Sequence, residues 1–250
     1  MKNNFLNKSV ANIYFKPSPN SEVVSQILYG EKFKILLKRK KYIKIKTYYD
    51  NYIGYIKKDK FLGNFKPSHK ISKIKSRIFF KKGKRFFSSN HYLYYGSGVC
   101  IRNKNKMYIE FEKNKWIKKS DVKNIDHHEK NYIKILKFFL NTKYLWGGKT
   151  CDGIDCSALI QIYFYYNRIF FPRDTKDQIR FCKRKRSKNR LKGDIVFWKG
   201  HVGICLNKSR FIHAYGPKKK VIIMPTAQTI KLIDKTANLK VKKVSNISNI

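Results

Sequence analysis

Residues 143–166 read KYLWGGKTCDGIDCSALIQIYFYY. One turn (Gly147-Gly148) and a second (Asp152-Gly153) deliver Cys156 to the start of an apolar run whose pattern predicts a helix. A helix N-terminus with an imidazolium nearby can lower a thiol pKa from ~8.5 to between ~3.5 and ~7.5, and the thiolate is the nucleophilic form. Two histidines follow, His201 in GDIVFWKGHVGICL and His213 in RFIHAYG, each within a short strand-like segment. Cysteine, then a histidine base, then a polar residue that orients the base is the order of parts a thiol hydrolase needs.

The pieces YLWGG, DGIDCSALIQ, PRDT, GDIVFW, GHVGI and FIHA run in this order from about Lys143 to about Met224. Each is short, but their order and spacing resemble those of the NlpC-type cell-wall cysteine peptidases, which are papain-like. One departure is Ala158, where that family has glycine after the Cys-Ser pair. The resemblance implies hydrolysis of the γ-D-glutamyl-diamino acid bond in peptidoglycan stem peptides. It implies Cys156 as nucleophile, His201 as base, His213 as the residue that orients it, and Tyr144 as an oxyanion donor beside the Cys156 N–H. It also implies that Asp155, Ser157, Asp174 and Thr175 hold the peptide, including the free amine of an N-terminal L-alanine. Asp155 is equally well placed to cap the helix. Glu31, one of five glutamates, is expected to reach the same amine from the N-terminal region.

Lys and Arg total 58 against 15 Asp and Glu, a formal charge of +43. Such a charge points to a polyanion partner. A Lys-, Ile- and Asn-rich composition from biased codon usage gives the same excess of cations, although that bias would also favour Glu. No specific nucleic acid is expected. Five cysteines without a C-x-x-C pair argue for free thiols rather than a disulfide framework. The opening MKNNFLNKSVANIYF has no apolar signal core, and no run reaches the ~18 apolar residues of a membrane span. A cytoplasmic monomer without cofactor is the expectation.

Short alternating runs fill the first half. Ile43, Ile45 and Thr47 alternate with lysines, and GYIKKDKF (54–61) is echoed by KWIKKSDV (115–122) after a second run through Met107, Ile109 and Phe111. SVANIYFKPSPNSEVVSQILYGEKFKIL resembles the bacterial SH3-like domains that precede such peptidases, and members so built close the cleft around short peptides with a free amine. The expected organisation is a first SH3-like domain (1–64), a second, degenerate one (65–124), and the peptidase (125–250), an α+β fold. IDHHEKNYIKILKFFL predicts a helix with a capping box at Asp126 and Glu129 and a stripe of Tyr132, Ile135, Leu136 and Phe139. FCKRKRSKNRLKGD (181–194) reads as a basic loop, and the tail from Ser245 as frayed. Two rival readings stand beside the peptidase: a zinc module on Cys151, Cys156, His201 and His213, and an SH3-like binder of wall polymer or nucleic acid.

Overall fold

The computed structural model describes residues 4–185 and 191–250. The chain forms two compact units, residues 1–128 with 166–168, and residues 129–165 with 169–250. Residues 186–190 of the basic loop and the first three residues of the opening stretch lie outside the described residues.

The first unit is all-β. Strands β1 (Asn4–Phe5), β2 (Val10–Tyr14), β3 (Val23–Leu28), β4 (Lys32–Lys38), β5 (Tyr42–Thr47) and β6 (Ile53–Lys57) form one antiparallel sheet in the order β1-β4-β5-β6-β2-β3. Ile43, Ile45 and Thr47 are all buried, as alternation demands, and the two isoleucines join Leu6, Ile13, Ile27 and Phe33 in an apolar core. Bulges at Ile13/Tyr14 and Ile35/Leu37 bend the sheet.

Strands β7 (His69–Ile71), β8 (Lys75–Lys82), β9 (Arg85–Tyr94), β10 (Gly98–Val99), β11 (Asn103–Lys104), β12 (Tyr108–Glu112), β13 (Lys115–Lys118) and β14 (Val122–Asn124) follow. They form a three-stranded sheet, β10-β7-β14, and a five-stranded one, β11-β12-β13-β8-β9. The first segment forms one sheet, whereas this segment forms two. Ile109 and Phe111 are buried as expected, whereas Met107 is exposed. Tyr29 of the first segment enters this second core beside Ile71, Leu93 and Ile117.

The second unit is α+β. It contains α1 (Tyr132–Phe138), the β15 (Lys149–Thr150) and β16 (Gly153–Ile154) hairpin, α2 (Cys156–Tyr166) and α3 (Thr175–Phe181). Strands β17 (Asp194–Trp198), β18 (His201–Cys205), β19 (Arg210–Tyr215) and β20 (Lys220–Pro225) come next, then α4 (Thr226–Ala237) and β21 (Lys243–Asn246). The sheet is antiparallel in the order β20-β19-β18-β17-β21. Helix α2 is apolar on nearly every face, with Ala158, Leu159 and Ile162 buried, as a central helix must be.

Three expectations need correction. Helix α1 starts after Asn131, whose side chain accepts the Lys134 N–H. Glu129 instead pairs with Lys134, and Asp126 with Arg168. The predicted stripe of Tyr132, Ile135, Leu136 and Phe139 is nonetheless buried. The tail is not frayed, since β21 pairs with β17 and Ser245 is fully buried. Helices α3 and α4 add to the two helices expected. No described helix is long and apolar enough to cross a membrane.

Candidate active site

The glycine turns build the floor of the site. Gly147 has φ +72°, a left-handed conformation that glycine adopts without strain. A Cβ on Gly148 would meet the Gly153 carbonyl oxygen at 2.4 Å, so the two turns close on each other only without side chains there. The Asp155 carboxylate locks this arrangement. Its Oδ2 accepts the Gly147 N–H (3.0 Å), and its Oδ1 accepts the Ala158 N–H (2.8 Å), which caps α2.

Arg173, from PRDT, meets the same carboxylate through two bonds, Nη1 to Oδ1 (3.0 Å) and Nη2 to Oδ2 (2.6 Å). Both side chains are buried, 1% and 6% exposed. Ser157 completes the network, its hydroxyl donating to Asp155 Oδ1 and accepting from Arg173 Nη1. Gln178 on α3 donates to the Ser157 and Pro172 carbonyls and ties α3 to the first turn of α2. Asp155 and Ser157 are therefore held by partners within the protein. The capping role of Asp155 is thus realised in the structure, and the same network fixes both side chains beside the nucleophile. Arg173 is the residue the sequence reading missed; its signal was a lone arginine directly before Asp174, inside a motif already quoted.

Cys156 opens α2 and is 3% exposed. Its Sγ lies 4.0 Å from the Gly200 carbonyl, and the Val202 N–H and Thr175 hydroxyl donate to the sulfur. The residues on both sides of His201 thus meet the thiol. Burial pushes the Cys156 thiol up to about 12, with the Asp155 charge adding to it. Hydrogen bonds from Val202 and Thr175 and the Arg173 charge oppose this without reversing it. Burial thus acts on the thiol in the direction opposite to a helix N-terminus.

His201 Nε2 and His213 Nδ1 are 2.9 Å apart, a bond that leaves His201 Nδ1 as the remaining ring nitrogen to serve as base. The His213 ring stacks on Tyr215 at 4.7 Å. Gly203, the second glycine of GHVGI, makes room for β19: a Cβ there would fall 2.5 Å from the Phe211 ring and 2.8 Å from His213 Cβ. Burial holds His201 down to about 4; burial and then its neighbour His201 hold His213 down to about 3. His213 Nε2 is buried with no partner among the described residues, so charge on this ring has no acceptor there.

A stability test follows. From the ordinary value of 6.5 downward, unfolded histidines take up protons that the folded ones refuse until about 4 and about 3. The unfolded state therefore binds more protons in that window, and stability falls as pH drops below about 6.5 and is unaffected above it. The slope should be roughly 1 kcal/mol per histidine per pH unit. Thermal unfolding at pH 7, 6 and 5 checks this, and His213→Gln should flatten the decline. A melting temperature independent of pH over this range would mean that these rings are not held neutral.

Tyr144 pairs with Ile154 through a β-bridge, and its phenol is pushed up by burial, then by the nearby Cys156 and Asp155, so it remains a donor at neutral pH. Thr175 touches the thiol, as noted. Asp174 precedes α3 without capping it through its side chain, and burial raises its carboxyl, with Arg173 opposing. Glu31 belongs to the other unit, where its Oε2 accepts the Leu28 N–H across a tight turn. A groove of ≈ 590 Å³ runs beside the histidines, lined by Tyr144, His201, Tyr215, Pro217 and Leu232. Among the described residues, no group of three or more His, Cys, Asp or Glu is gathered to hold a metal, so the proposed zinc set is not assembled. All five cysteines are free.

Comparison with known proteins agrees with this geometry. Residues 141–236 match the NlpC/P60 family, and residues 13–61 match the bacterial dipeptidyl-peptidase Sh3 domain. Dipeptidyl-peptidase 6 of Lysinibacillus sphaericus is 25% identical over 230 residues, 82% of this chain and 84% of that protein. The γ-D-glutamyl-L-lysine dipeptidyl-peptidase of Bacillus subtilis (strain 168) is 28% identical over 127 residues, 46% of this chain and 43% of that protein. In fold, the chain is similar to the crystal structure of an NlpC/P60 family protein from Bacillus cereus ATCC 10987. The TM-score is 0.77 at 17% identity, covering 89% of this chain and 94% of that one.

Proposed function

We propose that this NlpC/P60 cysteine peptidase, preceded by its bacterial SH3 domain, hydrolyses the γ-D-glutamyl-diamino acid bond of short peptidoglycan stem peptides. The observation that carries the reading is the buried Cys156 thiol at the start of α2, met on both sides of His201, with His201 bonded to His213. The thiol proton passes to His201 as sulfur attacks the carbonyl carbon. The new C–S bond forms while the carbonyl electrons move to oxygen, which the Cys156 N–H and the Tyr144 phenol stabilise. Collapse of this intermediate breaks the C–N bond, and the imidazolium returns its proton to the leaving amine. Water then attacks the thioester, His201 taking its proton, and releases the free γ-glutamyl acid and the thiol.

For substrate recognition, Asp155, Ser157 and Asp174 are the groups assigned to the peptide and the free amine of its N-terminal L-alanine. Partial burial raises the Asp174 carboxyl, so an ammonium group placed beside it gains a charge-assisted bond. Glu31 is the second candidate, tested by Glu31→Gln. Thr175 steadies the sulfur and lines the pocket. The groove beside His201 receives the leaving diamino acid. Need for a free amine directs the activity to released fragments, which fits turnover inside the cell.

The test compares L-Ala-γ-D-Glu-diamino acid tripeptides, free and N-acetylated, with products identified by mass. Acetylation should lower kcat/KM by roughly tenfold to a hundredfold, as expected when a buried polar group loses its partner. Equal rates on both forms and on intact wall would remove the recycling role. No cleavage of any of them would remove the peptidase reading itself.

A further inference from the structure

The charge excess finds a shaped site in the first unit, away from any residue assigned above. A cavity of ≈ 710 Å³ lies between the three-stranded sheet and the β11–β12 hairpin. Four cations line it: Arg102, Lys104 on β11, Lys119 after β13, and Lys123 on β14. None of the four takes part in an ion pair among the described residues. The acids closest in sequence are engaged elsewhere. Glu110 accepts the Asn114 N–H, Asp121 accepts from Ser76 and Ser120, and Asp126 pairs with Arg168. No acid lines the cavity itself, and its apolar wall is Ile101, Ile109 and Val122.

We propose that this cavity binds a phosphate-bearing polyol or sugar, the repeating chemistry of a phosphodiester-linked polymer. An arginine fork and three ammonium groups around one concavity suit phosphate oxygens, and converging unpaired cations leave a positive field that an anion relieves. The apolar wall suits the carbon skeleton between phosphates. No Phe, Tyr or Trp lines the cavity, so it lacks the stacking platform by which proteins hold single-stranded bases. That absence favours the polyol or sugar over nucleic acid. His69, at the edge of the cavity, is held below its ordinary value by burial and then by Lys104, so a bound anion will draw a proton onto it.

The inference does not depend on the peptidase reading. The experiment titrates the full-length protein with inorganic phosphate, sn-glycerol 3-phosphate, a glycerol-phosphate hexamer and a ten-nucleotide oligo-dT, followed by NMR of the His69 imidazole and the Asn103 and Asn124 amides. Expected results are binding of the hexamer at least about tenfold tighter than inorganic phosphate, an upward shift of His69 titration, and weakening by roughly tenfold between 50 and 500 mM NaCl. Arg102→Glu with Lys123→Glu should lose at least about tenfold in affinity. Lys104→Gln, a milder change at an exposed position, should lose less while keeping the amide spectrum. The proposal is overturned if no probe shifts these resonances at 10 mM, if oligo-dT binds more tightly than the hexamer, or if charge reversal leaves affinity unchanged.

Discussion

Cys156→Ala should leave a folded protein with no measurable hydrolysis of the stem tripeptide, at least ~10⁴-fold below the parent. The covalent step has a single sulfur available to it, since Cys100 belongs to the other unit, Cys182 and Cys205 are buried elsewhere, and Cys151 lies beside Asp152, in the hairpin turn. Loss of one sulfur atom at the end of a well-packed helix should change stability little, so circular dichroism and melting temperature serve as the control. His201→Ala should be nearly as severe. His213→Ala should be milder, because it removes the partner of the base and not the base. Cys151→Ala should retain full activity. Residual hydrolysis in Cys156→Ala within a hundredfold of the parent, or equal damage from Cys151→Ala, would refute this assignment.

The second large effect concerns Arg173. Replacement by methionine removes the guanidinium from a carboxylate that is 6% exposed and leaves that charge buried without its counterion. Breaking such a pair from one side costs about 3–5 kcal/mol, which corresponds to roughly 6–20 °C in melting temperature for a protein of this size. Activity should fall as well, because Asp155 holds both the Gly147 turn and the first turn of α2. Asp155→Asn should cause a comparable loss. The double variant Asp155→Leu, Arg173→Met should recover part of the stability, since no uncompensated charge remains, yet it should recover little activity. A shift below about 2 °C for Arg173→Met, measured by calorimetry, would show that the pair does not fix the site.

Reading the chain alone recovered what neighbouring residues decide. The start of α2 was legible because glycine turns, a capping acid and an apolar run lie together. The strands around His201 and His213 were legible from four short apolar stretches. Features that depend on distant partners were not. Asp155 has the same local sequence whether or not it meets an arginine 18 residues on, so the pair with Arg173 is invisible locally. The thiol pKa has a second influence that local sequence does not carry. A helix N-terminus lowers it, whereas burial, a property of the assembled core, raises it further. Helix α4 was hidden among lysines. Its signal was Thr226 and Thr229 with Ile230 and Ile233, one face of a helix ending at Asn238 in the left-handed conformation. Ser245 and Asn246 looked like a polar tail because strand pairing and the bond from Asn246 to Asp194 are invisible locally.

The pairing of β17 with β21 sets an order of events during synthesis. Strand β17 lies between β18, which carries His201, and β21, drawn from residues 243–246. The nucleophile and both histidines have all been translated by residue 213, but the far edge of β17 stays open until thirty further residues have been added. Until then, backbone amides of Ile195 and Phe197 have only solvent or another chain to bond with. A ribosome-bound chain thus carries every reactive group while its catalytic sheet is unfinished, and the last strand added acts as the latch of assembly.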